Sequence, residues 1–194
     1  MKRIIGLTGG IGSGKSTVAA ILADEYGAEI VDADKIGHRV IQGSAKDRIL
    51  SLLGGGILNE EGKIDRGRVA KIVFGDKDKL GKLDSITHPL IEEQVKGQID
   101  ASRAGIVVLD AALLIEAGWE HFVDELWVVV CDEKTRTGRI MKRDGRGAED
   151  AVRRIKSQMA DGERIVHADV VIDNSRSRGE LEKAVRAAMG DRSE

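Results

Sequence analysis

The sequence predicts an α/β protein: a mostly parallel, five-stranded sheet with helices on both faces and a helical insertion after the second strand. Three observations predict it. Short apolar runs rich in β-branched residues recur at 3–7, 29–32, 106–110, 126–131 and 170–173. Stretches with helical spacing separate them. The runs are apolar throughout rather than alternating, the pattern of strands buried on both faces.

Each element follows from its residues. The first run, in "MKRIIGLTGG", has basic residues before apolar ones, as a signal peptide does, but Gly6 and Thr8 cut it short and it reads as a strand. Beyond Lys15, the residues Val18, Ile21, Leu22 and Tyr26 fall on one helical face. Between the second and third runs lie more than seventy residues, mostly helical in pattern with glycine-punctuated joints. That is too long for a simple crossover, and residues 35–103 read as a helical insertion able to seat a second substrate. Within it Ile91, Val95 and Ile99 recur at four-residue spacing after Pro89, the only proline. Pro89 suits a first helical position, with Thr87 or His88 as the cap. Leu181, Val185, Ala188 and Met189 form the apolar face of a closing helix.

Composition narrows the function. A formal charge of −2 and 3% aromatic residues across 194 residues favour neither a nucleic-acid partner nor stacking on single-stranded bases. The single cysteine, Cys131, allows no internal disulfide and no thiolate metal site, and its apolar setting reads as a small buried hydrophobe. No stretch approaches the roughly 20 apolar residues that span a bilayer, so the expectation is a soluble, cytoplasmic protein with no membrane partner.

The chemistry is concentrated in "LTGGIGSGKST", residues 7–17, which fits G-x-x-x-x-G-K-[ST] through Gly9, Gly14, Lys15 and Ser16. Glycines let successive backbone N–H groups point at phosphate oxygens, and a following helix adds its positive end. Lys15 would reach the β- and γ-phosphates, and the Ser16 hydroxyl would ligate Mg²⁺. A dinucleotide fingerprint would need glycine where Lys15 or Thr17 stands, so the loop reads as one for a mononucleotide triphosphate. Asp32 and Asp34, in "VDAD", end the second strand; Asp34 reads either as a helix N-cap or as the base that accepts a proton from an attacking hydroxyl. Asp110 ends the third strand as a metal-supporting aspartate would, with Glu116 further along. Nine basic residues within 134–156 face three acidic ones, and Arg136, Arg139 and Arg143 share one helix face. Like charges so placed repel unless an anion lies between them, which favours a phosphate clamp over a merely solvated face.

The loop, "DAD", "THP", "DAALLIEAG", "RIMKRDG" and "ADVVIDN", in that order, resemble the dephospho-CoA kinase family over about residues 3–185. The resemblance implies a P-loop NTPase three-layer α/β fold. Its nucleotide-binding core would comprise 1–34, 104–135 and 164–194, its acceptor subdomain 35–103 and its arginine-bearing lid 136–163. It implies transfer of the γ-phosphate of ATP, with Mg²⁺, to the ribose 3′-hydroxyl of dephospho-CoA. Gly10, Gly12, Ser13, Gly14, Lys15, Ser16 and Thr17 would hold the ATP phosphates. Lys15, Asp34, Arg139 and Arg143 would carry catalysis, the arginines from the lid. Ser16, Asp32 and Asp110 would serve the metal, and Asp34, His88, Pro89, Leu113, Leu114 and Glu116 the acceptor. Asn174 reads equally as a turn residue or as a contact near the adenine. Ala112 and His38 depart from the family pattern, which has proline and arginine there. A nucleoside or nucleotide kinase of the same architecture is the second reading. A GTP-dependent switch lacks its guanine-specifying N-K-x-D and its D-x-x-G segments.

Overall fold

The computed structural model describes residues 2–73, 75–145 and 147–190. The strands are β1 (Arg3–Thr8), β2 (Glu29–Asp32), β3 (Ile106–Asp110), β4 (Glu125–Val130) and β5 (Val170–Asp173), each within a residue of the expected runs. The sheet order is β2-β3-β1-β4-β5. β1 runs parallel to both neighbours, with Leu7 opposite Asp110 of β3 and Leu7 opposite Trp127 of β4, and β4 runs parallel to β5. From central β1 the chain passes to one side of the sheet and then crosses to the other. Such a switch opens a crevice at the carboxyl ends of the strands.

Two compact units make up the chain, Met1–Val31 with Ser102–Glu194, and Asp32–Ala101. In the first, Ile5 and Leu7 of β1 and Trp127 and Val129 of β4 point to one face of the sheet. They pack there with Val18, Ile21 and Leu22 of α1 (Lys15–Tyr26) and with Leu181 and Val185 of the C-terminal helix (Arg178–Met189). Each such fully buried side chain stabilises the fold by roughly 1.5–3 kcal/mol. Gly6 faces the other way, and a Cβ there would lie 3.0–3.1 Å from Leu114, Val123 and Leu126 side chains. The strand therefore has glycine where the 112–118 turn is packed down on it.

The second unit is helical: α2 (Ala33–Gln42), α3 (Lys46–Leu53), α4 (Arg66–Val73) and α5 (Lys77–Ala101). Ile36 and Val40 of α2 and Ile91, Val95 and Ile99 of α5 are buried, and Gly37 lets the Ile91 side chain approach α2. The structure corrects the reading of Pro89, which lies inside α5 rather than at a helix start. An interior proline costs about 3 kcal/mol because it removes the bond to the carbonyl four residues back, here that of Ser85. The apolar stripe of Ile91, Val95 and Ile99 overrides it. Thr87 is not a cap either; it is buried, and its hydroxyl donates to the Leu83 carbonyl at 3.0 Å.

Three further helices follow β4, namely α6 (Glu133–Asp144), α7 (Ala148–Lys156) and α8 (Asp161–Ile165), before β5 and the C-terminal α9 (Arg178–Met189). Asp132 starts α6 by accepting the Thr135 amide at 2.8 Å, and hydrogen bonding from the Thr135 hydroxyl and then its amide holds the Asp132 carboxyl below the usual range. No helix among the described residues is long and apolar enough to cross a membrane.

Candidate functional site

The glycine-rich loop leaves β1 and ends at α1, in a cleft of about 680 Å³ lined by residues 9–17 together with Arg139, Arg143, Gln158 and Asn174. Gly12 and Gly14 have φ of +77° and +91°, in the left-handed region that favours glycine. A Cβ at Gly12 would lie 3.0 Å from the Arg136 carbonyl, and one at Gly14 would collide with the Asn174 amide. Gly14 also occupies the N-cap of α1, so the positive end of that helix opens on the loop. Within the loop the Ile11 amide donates to Gln158 Oε1 at 2.7 Å and the Ser13 amide to the Gly10 carbonyl at 3.0 Å.

Lys15 forms an ion pair with Asp110, both side chains mostly buried. Ser16 and Thr17 follow in the first turn of α1, with Ser16 exposed. A hydroxyl and a carboxylate are the hard oxygen donors that Mg²⁺ takes, alongside substrate phosphates and water. Among the described residues no group of three His, Cys, Asp or Glu side chains forms an all-protein cage for a metal. The residues present therefore fit a metal that arrives with a nucleotide.

The three arginines of α6 are placed differently from the expected clamp. Arg136 is buried, its Nε donating to the Ile11 carbonyl at 2.9 Å and its Nη1 to Asp161 at 3.1 Å. Arg139 Nη1 donates to the Gly12 and Ser13 carbonyls at 3.3 and 3.2 Å and Nη2 to the Asn174 carbonyl at 3.0 Å. Backbone oxygens and Asp161 relieve their mutual repulsion. Of the three α6 arginines, Arg143 is the exposed one at the cleft, its guanidinium bridging both oxygens of Asp144 at 2.7 and 3.1 Å. That bridge holds the Asp144 carboxyl below its ordinary range. Arg146, another of the basic run, lies outside the described residues.

Asn174 is buried, and its side-chain amide donates to the Ser13 carbonyl at 2.7 Å. Its contact is with the loop backbone. Cys131 is buried as expected, but it is not merely apolar, since Sγ donates to the Asn174 carbonyl and accepts from Arg139. Burial pushes its thiol up, against the pull of the Arg139 charge. Leu114 is a correction: it is fully buried over Gly6, where no acceptor reaches it, whereas Leu113 beside it is 56% exposed. Glu116 pairs at 3.2 Å with Arg164, which is fully buried and also lies 3.8 Å from Asp161. The sequence carried no signal for Arg164, an arginine in a short polar segment, nor for Gln158.

In the second unit Asp32 is the N-cap of α2, accepting the Lys35 amide at 2.9 Å and pairing with Lys35 Nζ at 3.0 Å. Asp34 is therefore not the cap but an exposed first-turn residue. His38 is exposed on the same helix. His88 lies 3.6 Å from Asp84 in α5, and Pro89 is exposed.

A parallel sheet, a glycine loop and its lysine at the carboxyl end of the central strand, and an arginine helix beside them define a P-loop kinase. Residues 3–180 match the dephospho-CoA kinase family. The chain is 39% identical over 196 residues to the dephospho-CoA kinase of Dehalococcoides mccartyi, covering 99% of this chain and 98% of the relative. Among solved structures, TT1252 from Thermus thermophilus superposes with a TM-score of 0.87 at 31% identity, covering 100% and 99% of the two chains. The dephospho-CoA kinase from Campylobacter jejuni superposes with a TM-score of 0.70 at 29% identity, covering 98% and 97%. The chain belongs to the dephospho-CoA kinase family and is an enzyme, a kinase of coenzyme A biosynthesis.

Proposed function

We propose that this chain transfers the γ-phosphoryl group of ATP to the ribose 3′-hydroxyl of dephospho-CoA in the cytoplasm, giving coenzyme A and ADP. The observation that carries the donor half is the loop of β1, whose Lys15 is held by Asp110 inside a cleft rimmed by Arg143. The family match carries the acceptor half.

In this reading the amides of Gly12, Gly14 and Ser16 and the Lys15 ammonium bind the triphosphate. The 3′-oxygen attacks the γ-phosphorus as the bond to the β,γ-bridging oxygen breaks, and that electron pair leaves on ADP. Asp34 takes the hydroxyl proton, and it needs little basicity because a loose transition state asks mainly for position and charge balance. Arg143 leaves Asp144 and neutralises charge on the transferring group as the 136–163 segment closes. Ser16 and Asp110, with Asp32 in support, would hold Mg²⁺, which would supply neutralisation of charge on the β- and γ-phosphates. The acceptor rests on the helical segment 35–103, served by His88 and Pro89, and on Leu113 and Glu116.

The test is ADP release from MgATP with and without dephospho-CoA, and with nucleosides and nucleoside monophosphates as rival acceptors, the product being weighed by mass. Release that depends on dephospho-CoA, with coenzyme A formed, is the expected result. Turnover with a nucleoside or nucleotide alone would overturn the acceptor assignment and leave the donor loop standing.

A further inference from the structure

Three successive carbonyls of the phosphate-binding loop accept hydrogen bonds from side chains of unequal charge. The Ile11 carbonyl accepts from Arg136, the Gly12 carbonyl from Arg139, and the Ser13 carbonyl from both Arg139 and Asn174. A peptide unit is planar, with its C=O and the following N–H pointing opposite ways. Fixing the Ile11 and Ser13 carbonyls on these side chains therefore turns the Gly12 and Gly14 amides away from them. Both glycines have positive φ and no side chain to fix their own orientation, and the loop's amide contacts, Ile11 to Gln158 and Ser13 to the Gly10 carbonyl, leave these carbonyls to the arginines and Asn174.

We propose that Arg136 and Arg139 are positioning residues of the loop, which grip its carbonyls so that its amides meet the donor's phosphates, and that neither touches the phosphoryl group in flight. Both arginines are also tied to other elements. Asp132 caps α6 directly after β4, Asp161 holds the second end of Arg136, and Arg139 spans to the Asn174 carbonyl beyond β5. Charged donors on neutral carbonyls make hydrogen bonds stronger than amide donors do. The placement also divides labour along α6: Arg136 and Arg139 point at backbone, and Arg143, one turn on, has its guanidinium exposed and paired only through carboxylate oxygen in the contacts described.

The inference rests on reading the loop as the cradle of the donor's phosphates, and its test separates the two. The loop wraps phosphates that ATP and ADP share, whereas an arginine on the γ-phosphate serves ATP alone. Calorimetry on Arg139→Met and Arg136→Met should show ATP and ADP weakened by the same factor, about tenfold or more, with turnover at saturating ATP within about threefold of the parent. Arg143→Met should do the reverse. Hydrogen exchange on the nucleotide-free protein should show the 10–14 amides opening about tenfold faster in the first two variants and unchanged in the third. Should either methionine variant fail to fold, Arg139→Lys, which keeps charge but lacks the two-ended guanidinium that spans the Gly12, Ser13 and Asn174 carbonyls, gives the same exchange readout in milder form. Loss confined to ATP, or loop exchange unchanged in Arg139→Met, would overturn the proposal. A parent protein that bound neither nucleotide would overturn the cradle instead, and the exchange result would still judge the two arginines.

Discussion

Lys15 and Asp110 meet as an ion pair at the carboxyl ends of two strands that are hydrogen-bonded neighbours, β1 and β3. A nucleotide that enters the loop must draw the Lys15 ammonium from that carboxylate to its own phosphates. Asp110→Asn removes one anion that competes for Lys15 and also one ligand suited to Mg²⁺. The two consequences have opposite signs. Metal-free ADP should bind a few-fold tighter to the variant in calorimetry, while turnover with MgATP should fall by at least about 10²-fold. Lys15→Ala should lose both binding and turnover.

Asp34 is exposed in the first turn of α2 and, unlike Asp32, is not the residue that caps the helix. Its substitution should therefore leave the fold alone. Asp34→Asn should keep the parent's melting temperature within a degree or two and cost about 10²–10⁴-fold in turnover, the span typical of a general base. A loss below tenfold would assign the proton to another acceptor.

The strands were legible because buried parallel strands are apolar along their whole length, and all five appear within a residue of where that pattern puts them. The loop was legible because its glycines and lysine serve local geometry. Arg136, Arg139 and Arg164 were not. Charge on a helix face advertises solvent or a ligand, and nothing in the sequence tells that the face of α6 is turned onto the backbone of residues 11–13. Leu114 was misplaced for the related reason that one turn alternates core and surface, so Leu113 and Leu114 part company. Pro89 misled because its helix is fixed by apolar contacts upstream and downstream rather than by local propensity.

Arg164 is wholly buried, with Glu116 and Asp161 as its counter-charges. Removing Glu116 leaves the buried cation with only Asp161, 3.8 Å away and shared with Arg136, whereas removing the cation with a side chain of similar volume leaves two carboxylates that water still reaches. Glu116→Gln should therefore destabilise the protein more than Arg164→Met in urea unfolding. The double variant should be less destabilised than the sum of the singles, because the two residues meet. Strict additivity would show that the pair contributes nothing.

Pro89 leaves the Ser85 carbonyl without the amide bond that a helix would give it, in the interior of α5. Pro89→Ala should restore that bond and remove the ring's clash, raising stability by about 1–3 kcal/mol after the more flexible unfolded chain is allowed for. The measurement is the urea midpoint at constant m-value. A gain in stability accompanied by a higher KM for the acceptor, at unchanged KM for ATP, would show that the proline is kept for the acceptor rather than for the fold.

Cys131 carries a pH dependence whose sign follows from its burial. Its thiol, with an ordinary value of 9.0, is pushed up in the folded protein because the thiolate is poorly solvated there, an effect that outweighs the Arg139 charge. In the unfolded chain the thiol deprotonates first, so the unfolded state binds fewer protons as the pH passes 9. Stability contributed by the buried thiol is therefore complete below that point and falls as the pH rises beyond it, at no more than about 1.4 kcal/mol per pH unit. Cys131→Ser keeps a donor toward the Asn174 carbonyl and does not titrate in this range. Urea unfolding at pH 7, 8, 9 and 10 should show the parent's advantage over Cys131→Ser constant up to pH 8 and shrinking by pH 10. A difference that stayed flat through pH 10 would mean that the thiolate is as well accommodated in the fold as in water, with Arg139 stabilising it fully.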